Sequence, residues 1–252
     1  MIHFVGAGCG APDLITVRGM NLLKEADVII YAGSLVNPQL LDYKKASCEV
    51  YNSAMMTLEE VLEVMLRAET EGKTTVRLHT GDPCLYGAIR EQMDVLEEKK
   101  ITYDYCPGVS SFCGAASALN LEYTLPDVSQ SVVITRMAGR TPVPEKEEIS
   151  TFAAHHATMV IFLSTGMLDQ LSERLMAGGY EADTPAAIVY KATWEDEAAF
   201  VCTVSTLAET AGRNQITKTA LIIVGDVVEH SRYQRSELYN PAFTTKFRKA
   251  KI

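Results

Sequence analysis

The chain has 252 residues, 47% of them hydrophobic and 22% charged, with a formal net charge of −9. This is the composition of a soluble globular protein long enough for one large domain or two small ones, and its acidity argues against nucleic acid as the main partner, because phosphate binding needs a basic surface. No run of ~18 apolar residues offers a membrane span, and the start Met1-Ile2-His3-Phe4-Val5-Gly6 lacks the basic, apolar and small-residue regions of a signal peptide, so a cytoplasmic protein is expected.

Short apolar runs alternate with helical patterns along the chain. Residues 2–5, 28–31, 74–78, 103–105, 132–135, 159–163, 186–189 and 221–224 read as strands. Most are near-continuous β-branched runs, which suits buried, largely parallel strands. The clearest helix is Leu58–Thr70, where Leu58, Val61, Leu62, Met65 and Leu66 share one face. Thr57 and Glu60 have capping-box spacing before it, and Gly72 stops it. Residues 88–98 and 167–175 are patterned similarly. Strands alternating with helices give an α/β class. The polar, Pro-containing stretch 136–147 reads as a domain connection or functional loop. Leu125-Pro126-Asp127 marks a turn before a new strand, which places the division at 1–128 and 129–252. Residues 244–252 are basic and read as a loosely held tail.

Three turns follow strands. Gly6-Ala7-Gly8-Cys9-Gly10 lets the backbone turn tightly or approach a ligand, but it lacks the G-x-G-x-x-G spacing of dinucleotide sites. His79-Thr80-Gly81-Asp82-Pro83-Cys84-Leu85-Tyr86-Gly87 offers backbone amides and a carboxylate where parallel sheets bind ligands. Asp82 serves there as a ligand group or as a helix cap, and sequence does not choose between them. Cys106-Pro107-Gly108-Val109-Ser110-Ser111 precedes a small-residue helix that its serines can cap. Cysteines 9, 48, 84, 106, 113 and 202 form no C-x-x-C pair, and no metal site is expected. His155-His156 reads as solvated surface. No nucleophile constellation or Walker motif is present.

In order and spacing, these three turns resemble the tetrapyrrole (corrin and porphyrin) methylase family, whose pattern is G-A-G-P-G, then G-D-P, then P-G-[VI]-[ST]. The likeness covers nearly the whole chain and departs at Cys9, where proline is usual. It implies two α/β domains with an interdomain cleft, a homodimer, and S-adenosylmethionine as cofactor, leaving S-adenosylhomocysteine. Motif matching implies cofactor contacts at Pro12, Gly81, Asp82, Leu85, Ser110 and Ser111. It adds Leu163, Ala192, Thr219 and Ala220 from later in the chain. Two stretches, Tyr31-Ala32-Gly33-Ser34-Leu35-Val36 and residues 135–145, resemble the branch that methylates C11 in cobalamin biosynthesis. The Gly81–Gly87 stretch resembles its oxygen-independent form, whose substrate is cobalt-precorrin-4.

On this resemblance, ring carbon C11 attacks the sulfonium methyl in line. Such a step needs positioning and desolvation rather than a protein nucleophile. The substrate carries many carboxylates, which guanidinium groups pair bidentately. Arg136 and Arg140 are the first candidates, with Arg90 and Lys191 behind them. No catalytic residue is assigned; Asp82 and His79 are the candidates for proton acceptor. Other readings are the oxygen-dependent route on precorrin-4, another tetrapyrrole position, a diphthamide-type protein substrate, or a binding protein without catalysis.

Overall fold

The computed structural model describes residues 1–230 and 233–251. The chain divides into two units: Met1–Ala115 with Lys191–Glu197, and Ala116–Tyr190 with the chain from Ala198 on. Residues 119–131, which contain the sequence-expected division point, carry no strand of either sheet.

In the first unit, β1 (Ile2–Gly6), β2 (Val28–Tyr31), β3 (Glu49–Asn52), β4 (Thr75–His79) and β5 (Tyr103–Cys106) form one sheet in the order β3-β2-β4-β1-β5. All its pairings are parallel. The interior strands β1, β2 and β4 are buried on both faces because both faces are covered. Val5, Ile29, Val76 and Leu78 pack with Leu23 of α1 (Val17–Glu25). Ile2, Phe4, Val28 and Ile30 pack with Val61 and Met65 of α2 (Leu58–Thr70) and with Met93 and Leu96 of α3 (Arg90–Glu98). The connection leaving β1 therefore crosses one face, and the connection leaving β4 crosses the other. Neighbouring strands whose connections diverge in this way open a crevice at their carboxyl ends, the usual ligand position in such sheets. α4 (Ser111–Ala118) follows β5.

The cap expected for α2 is present. Thr57 Oγ1 accepts from Glu60 N at 3.3 Å, and Glu60 Oε2 accepts from Thr57 N at 2.7 Å. Thr57→Ala should lower stability by about 1 kcal/mol in urea titration without affecting ligand binding.

The second unit holds β6 (Val132–Arg136), α5 (Ile149–Ala153), β7 (Thr158–Phe162), α6 (Leu168–Ala177), β8 (Pro185–Tyr190), β9 (Ala198–Thr203), α7 (Leu207–Arg213) and β10 (Ala220–Val224). Its sheet order is β6-β7-β10-β8-β9. Only β6–β7 is parallel, and the other pairings are antiparallel. The expectation of largely parallel strands thus holds in the first sheet and fails in the second. The chain order explains this, since residues 191–197 suffice to join antiparallel β8 and β9, whereas a parallel return needs a dozen residues or more. Leu168, Leu171 and Leu175 of α6 and Leu207 of α7 cover one face of this sheet. Among the described residues no helix is long and apolar enough to cross a membrane.

Candidate active site

The three glycine-bearing turns meet at the carboxyl ends of β1, β4 and β5. Gly8 and Gly81 exchange backbone bonds, Gly8 N to Gly81 O at 3.2 Å and Gly81 N to Gly8 O at 2.8 Å. Both sit at left-handed φ, +84° and +62°, a conformation open to glycine at little cost. Behind this bridge the backbones are in contact. A Cβ on Gly6 would lie 2.6 Å from Gly108 Cα and 2.7 Å from Gly81 O. The glycines at 6 and 108 are thus required by the approach of the turns to one another.

Asp82 ties the same turns by its side chain. Its Oδ2 accepts from Gly108 N at 2.9 Å. Its Oδ1 accepts from Cys84 N at 2.9 Å and from the Tyr105 hydroxyl. Burial pulls the Asp82 carboxyl upward, but the bonds from Tyr105, Cys84 and Gly108 outweigh it and hold the group below the ordinary carboxylate range. Burial and the Asp82 carboxylate together push the Tyr105 phenol up. Asp82 does not cap the next helix, since α3 starts only at Arg90 with Ile89 as its N-cap residue. Thr80 Oγ1, in the same turn, is shielded from solvent and has no hydrogen-bond partner among the described residues. That orphaned hydroxyl and the surrounding backbone fit a ligand with ammonium and hydroxyl groups.

The other residues implied in the first unit lie on these turns or against them. Pro12 opens a short 3-10 turn just past the β1 loop. Leu85 N bonds Asp82 O at 3.2 Å. Ser110 is buried before α4, and Ser111 is the first residue of that helix. Ala192 is buried in the segment Lys191–Glu197, which packs on Gly10. A Cβ on Gly10 would lie 2.4 Å from Trp194 Cδ1 and 2.7 Å from Ala192 O. Thr193 Oγ1 accepts from Ala11 N at 3.0 Å and donates to Cys9 Sγ at 3.5 Å. Cys9 also fills space left by Gly114, whose added Cβ would meet Sγ at 3.0 Å. This gives the unusual residue at position 9 a packing role.

The residues implied in the second unit gather at one end of its sheet. Pairing sets Ile161 against Ile222 and Ala220 against Tyr190. The ends of β7 and β8 therefore meet Thr219 and Ala220. Leu163, directly after β7, is 63% exposed. It also has a left-handed φ of 53°, as do Thr219 (59°), Lys191 (44°) and Thr193 (68°). Other left-handed residues, Lys100 and Gln215 among them, merely close helices. An exposed leucine and threonines held in this region are strained for L-residues, and such strain concentrates at ligand sites.

The four basic candidates differ in what engages them. The Arg136 guanidinium donates to Met137 O (3.1 Å), Thr141 O (3.2 Å) and Pro142 O (2.7 Å), so it braces its own loop. Arg90 is engaged by Asp94 at 2.6 Å and Glu97 at 2.7 Å on its own helix. Lys191 pairs with Asp196 at 2.6 Å and lies 5.6 Å from the Trp194 ring centroid. Arg140 is exposed at the loop tip, and no polar partner engages it among the described residues. Sequence reading missed Tyr105, Thr193 and Trp194, whose partners lie far away in the chain. No group of three or more His, Cys, Asp or Glu side chains suited to a metal ion occurs among the described residues.

A parallel sheet with its strand-end turns locked together, joined in sequence to a mixed sheet, defines a class of protein. The chain belongs to the tetrapyrrole (corrin/porphyrin) methylase family, whose pattern matches residues 1–208. It is 51% identical over 249 residues to the cobalt-precorrin-4 C(11)-methyltransferase of Methanocaldococcus jannaschii, covering 99% of this chain and 96% of that one. Among solved structures it resembles a cobalamin biosynthetic enzyme, cobalt precorrin-4 methyltransferase, with a TM-score of 0.88 and 44% identity over 90% of this chain and 95% of that one. It also resembles a uroporphyrin-III C-methyltransferase from Thermus thermophilus, solved with S-adenosylhomocysteine, at a TM-score of 0.77 and 25% identity over 91% of this chain and 99% of that one.

Proposed function

We infer that the chain transfers a methyl group from S-adenosylmethionine to C11 of cobalt-precorrin-4 in oxygen-independent cobalamin biosynthesis. The observation that carries this is the full-length likeness to the Methanocaldococcus enzyme, at 51% identity, taken with the locked turns at the carboxyl ends of β1, β4 and β5. When bound, S-adenosylmethionine supplies an electrophilic methyl on a sulfonium. The chain's part is to hold and orient. The turns bearing Gly81, Leu85, Ser110 and Ser111 form the proposed cofactor wall, with Pro12 and Ala192 beside them. No protein nucleophile is required, because bringing carbon and methyl to ~3–3.5 Å in line supplies the main advantage. The homodimer implied by the resemblance and a cytoplasmic setting belong to the same reading.

Arg140 is the proposed anchor for a substrate carboxylate, since Arg136 and Arg90 spend their donors on the protein. Arg140→Ala should raise the KM for the tetrapyrrole about tenfold, the effect of one lost charge-assisted bond, and leave S-adenosylhomocysteine affinity unchanged. Unchanged tetrapyrrole affinity would remove Arg140 from the site. The function itself is tested by incubating the protein with cobalt-precorrin-4 and methyl-labelled cofactor, then locating the label by mass spectrometry and NMR. Label at a ring position other than C11 would refute the assignment. Binding of S-adenosylhomocysteine with no transfer to any tetrapyrrole would establish a binding protein instead.

A further inference from the structure

The turns after β4 and β5 have no backbone ladder between them, because β1 lies between their strands. Their strands stand two spacings apart, about 9–10 Å, yet the turns converge until a Cβ on Gly108 would lie 2.2 Å from Gly81 O. Holding the converged turns in register then falls to groups that reach over the end of β1. Two such groups are present. One is Gly108 N, bonded to Asp82 Oδ2 at 2.9 Å. The other is the Tyr105 side chain, which leaves β5 and donates its hydroxyl to Asp82 Oδ1. The Tyr105 oxygen in turn accepts from Cys84 N at 3.0 Å. Phenol, carboxylate and two amides thus close one ring of bonds linking the β4 turn to the β5 turn, with Gly6 wedged beneath at Gly108 Cα.

We propose that Tyr105 is a positioning residue for the cofactor, fixing through Asp82 the spacing of the two turns that form the cofactor wall. The proposal rests on the reading of these turns as the S-adenosylmethionine site. Asp82 then acts on the loops, with its carboxylate spent on Tyr105, Cys84 and Gly108, and the backbone it holds meets the ligand.

An internal comparison exists on the same strand. Tyr103, two residues earlier and on the same face of β5, also donates to a carboxylate, Glu97 Oε1, at 2.5 Å. That bond joins β5 to α3 and touches no strand-end turn. Tyr105→Phe and Tyr103→Phe therefore each delete one phenol–carboxylate bond, and only the first loosens the turns. Calorimetric titration with S-adenosylhomocysteine should show Tyr105→Phe binding about tenfold more weakly than wild type, the effect of one bond to a charged acceptor. Tyr103→Phe should bind like wild type. In turnover, Tyr105→Phe should raise the KM for S-adenosylmethionine by the same factor while kcat at saturating cofactor stays within about twofold, a split that general destabilisation does not produce. Should Tyr105→Phe fail to fold, Asp82→Asn, which sets an amide against Gly108 N or Tyr105, should show the same loss. Wild-type affinity in Tyr105→Phe, or in Asp82→Asn if that variant is used, overturns the proposal, as does equal weakening in both tyrosine variants. If the wild-type protein does not bind S-adenosylhomocysteine, the cofactor reading fails first and the proposal falls with it.

Discussion

Gly108→Ala should abolish cofactor binding and lower global stability by about 2–3 kcal/mol, at the upper end of overpacking costs. The added methyl would lie 2.2 Å from Gly81 O and 2.8 Å from Gly6 Cα. Both obstacles are backbone, so no side chain can swing aside. The turns of β1, β4 and β5 must separate, and the bond from Gly108 N to Asp82 breaks with them. Titration with S-adenosylhomocysteine and urea unfolding together check this. Wild-type affinity in the variant would show that the meeting of the three turns has no bearing on the ligand.

The second large effect concerns pH. His79 is buried, stacked 6.5 Å from the Phe4 ring centroid, and its Nε2 has no partner among the described residues. Burial lowers its pKa from 6.5 to about 3, and the Arg77 guanidinium on the same strand adds to the shift. Below 6.5 the unfolded chain takes up a proton that the folded chain refuses until about 3. The unfolded state binds more protons throughout that window, so stability falls as pH falls. Integration gives a loss of about 2 kcal/mol between pH 7 and pH 5 from this residue alone. His79→Gln, neutral at every pH, should lose about 2 kcal/mol less than wild type over the same interval in paired urea titrations. Equal losses in the two proteins would mean that His79 protonates freely in the folded state. The same shift keeps the imidazole neutral, which weakens His79 as proton acceptor.

The elements that were legible in sequence are those whose burial is continuous. The interior strands β1, β2, β7, β8 and β10 stand out as apolar runs, β4 is read despite Arg77 within it, and α2 matches its expected span because both its face and its cap are local features. β3 and β9 were not read. β3 is a four-residue strand ended by Glu49 and Asn52, so it forms no apolar run, whereas β9 is an apolar run, Ala198 to Cys202, that the sequence reading passed over. The turns were legible as glycine patterns, but their meanings were not. Locally Asp82 offers only a ligand group or a cap. Two of its three partners, Tyr105 and Gly108, lie 23 and 26 residues away. The basic candidates show the same limit, because nothing in the sequence separates the braced Arg136 from the unengaged Arg140.

Trp194 is the one tryptophan of the chain, and its indole edge rests where a side chain on residue 10 would be. The indole fluorescence of the whole protein therefore originates at the β1 turn. Its emission wavelength and quenching by iodide or acrylamide report the wetness of that single spot. A titration followed by this light would register events at Gly10 directly, without a label and without contribution from the second sheet.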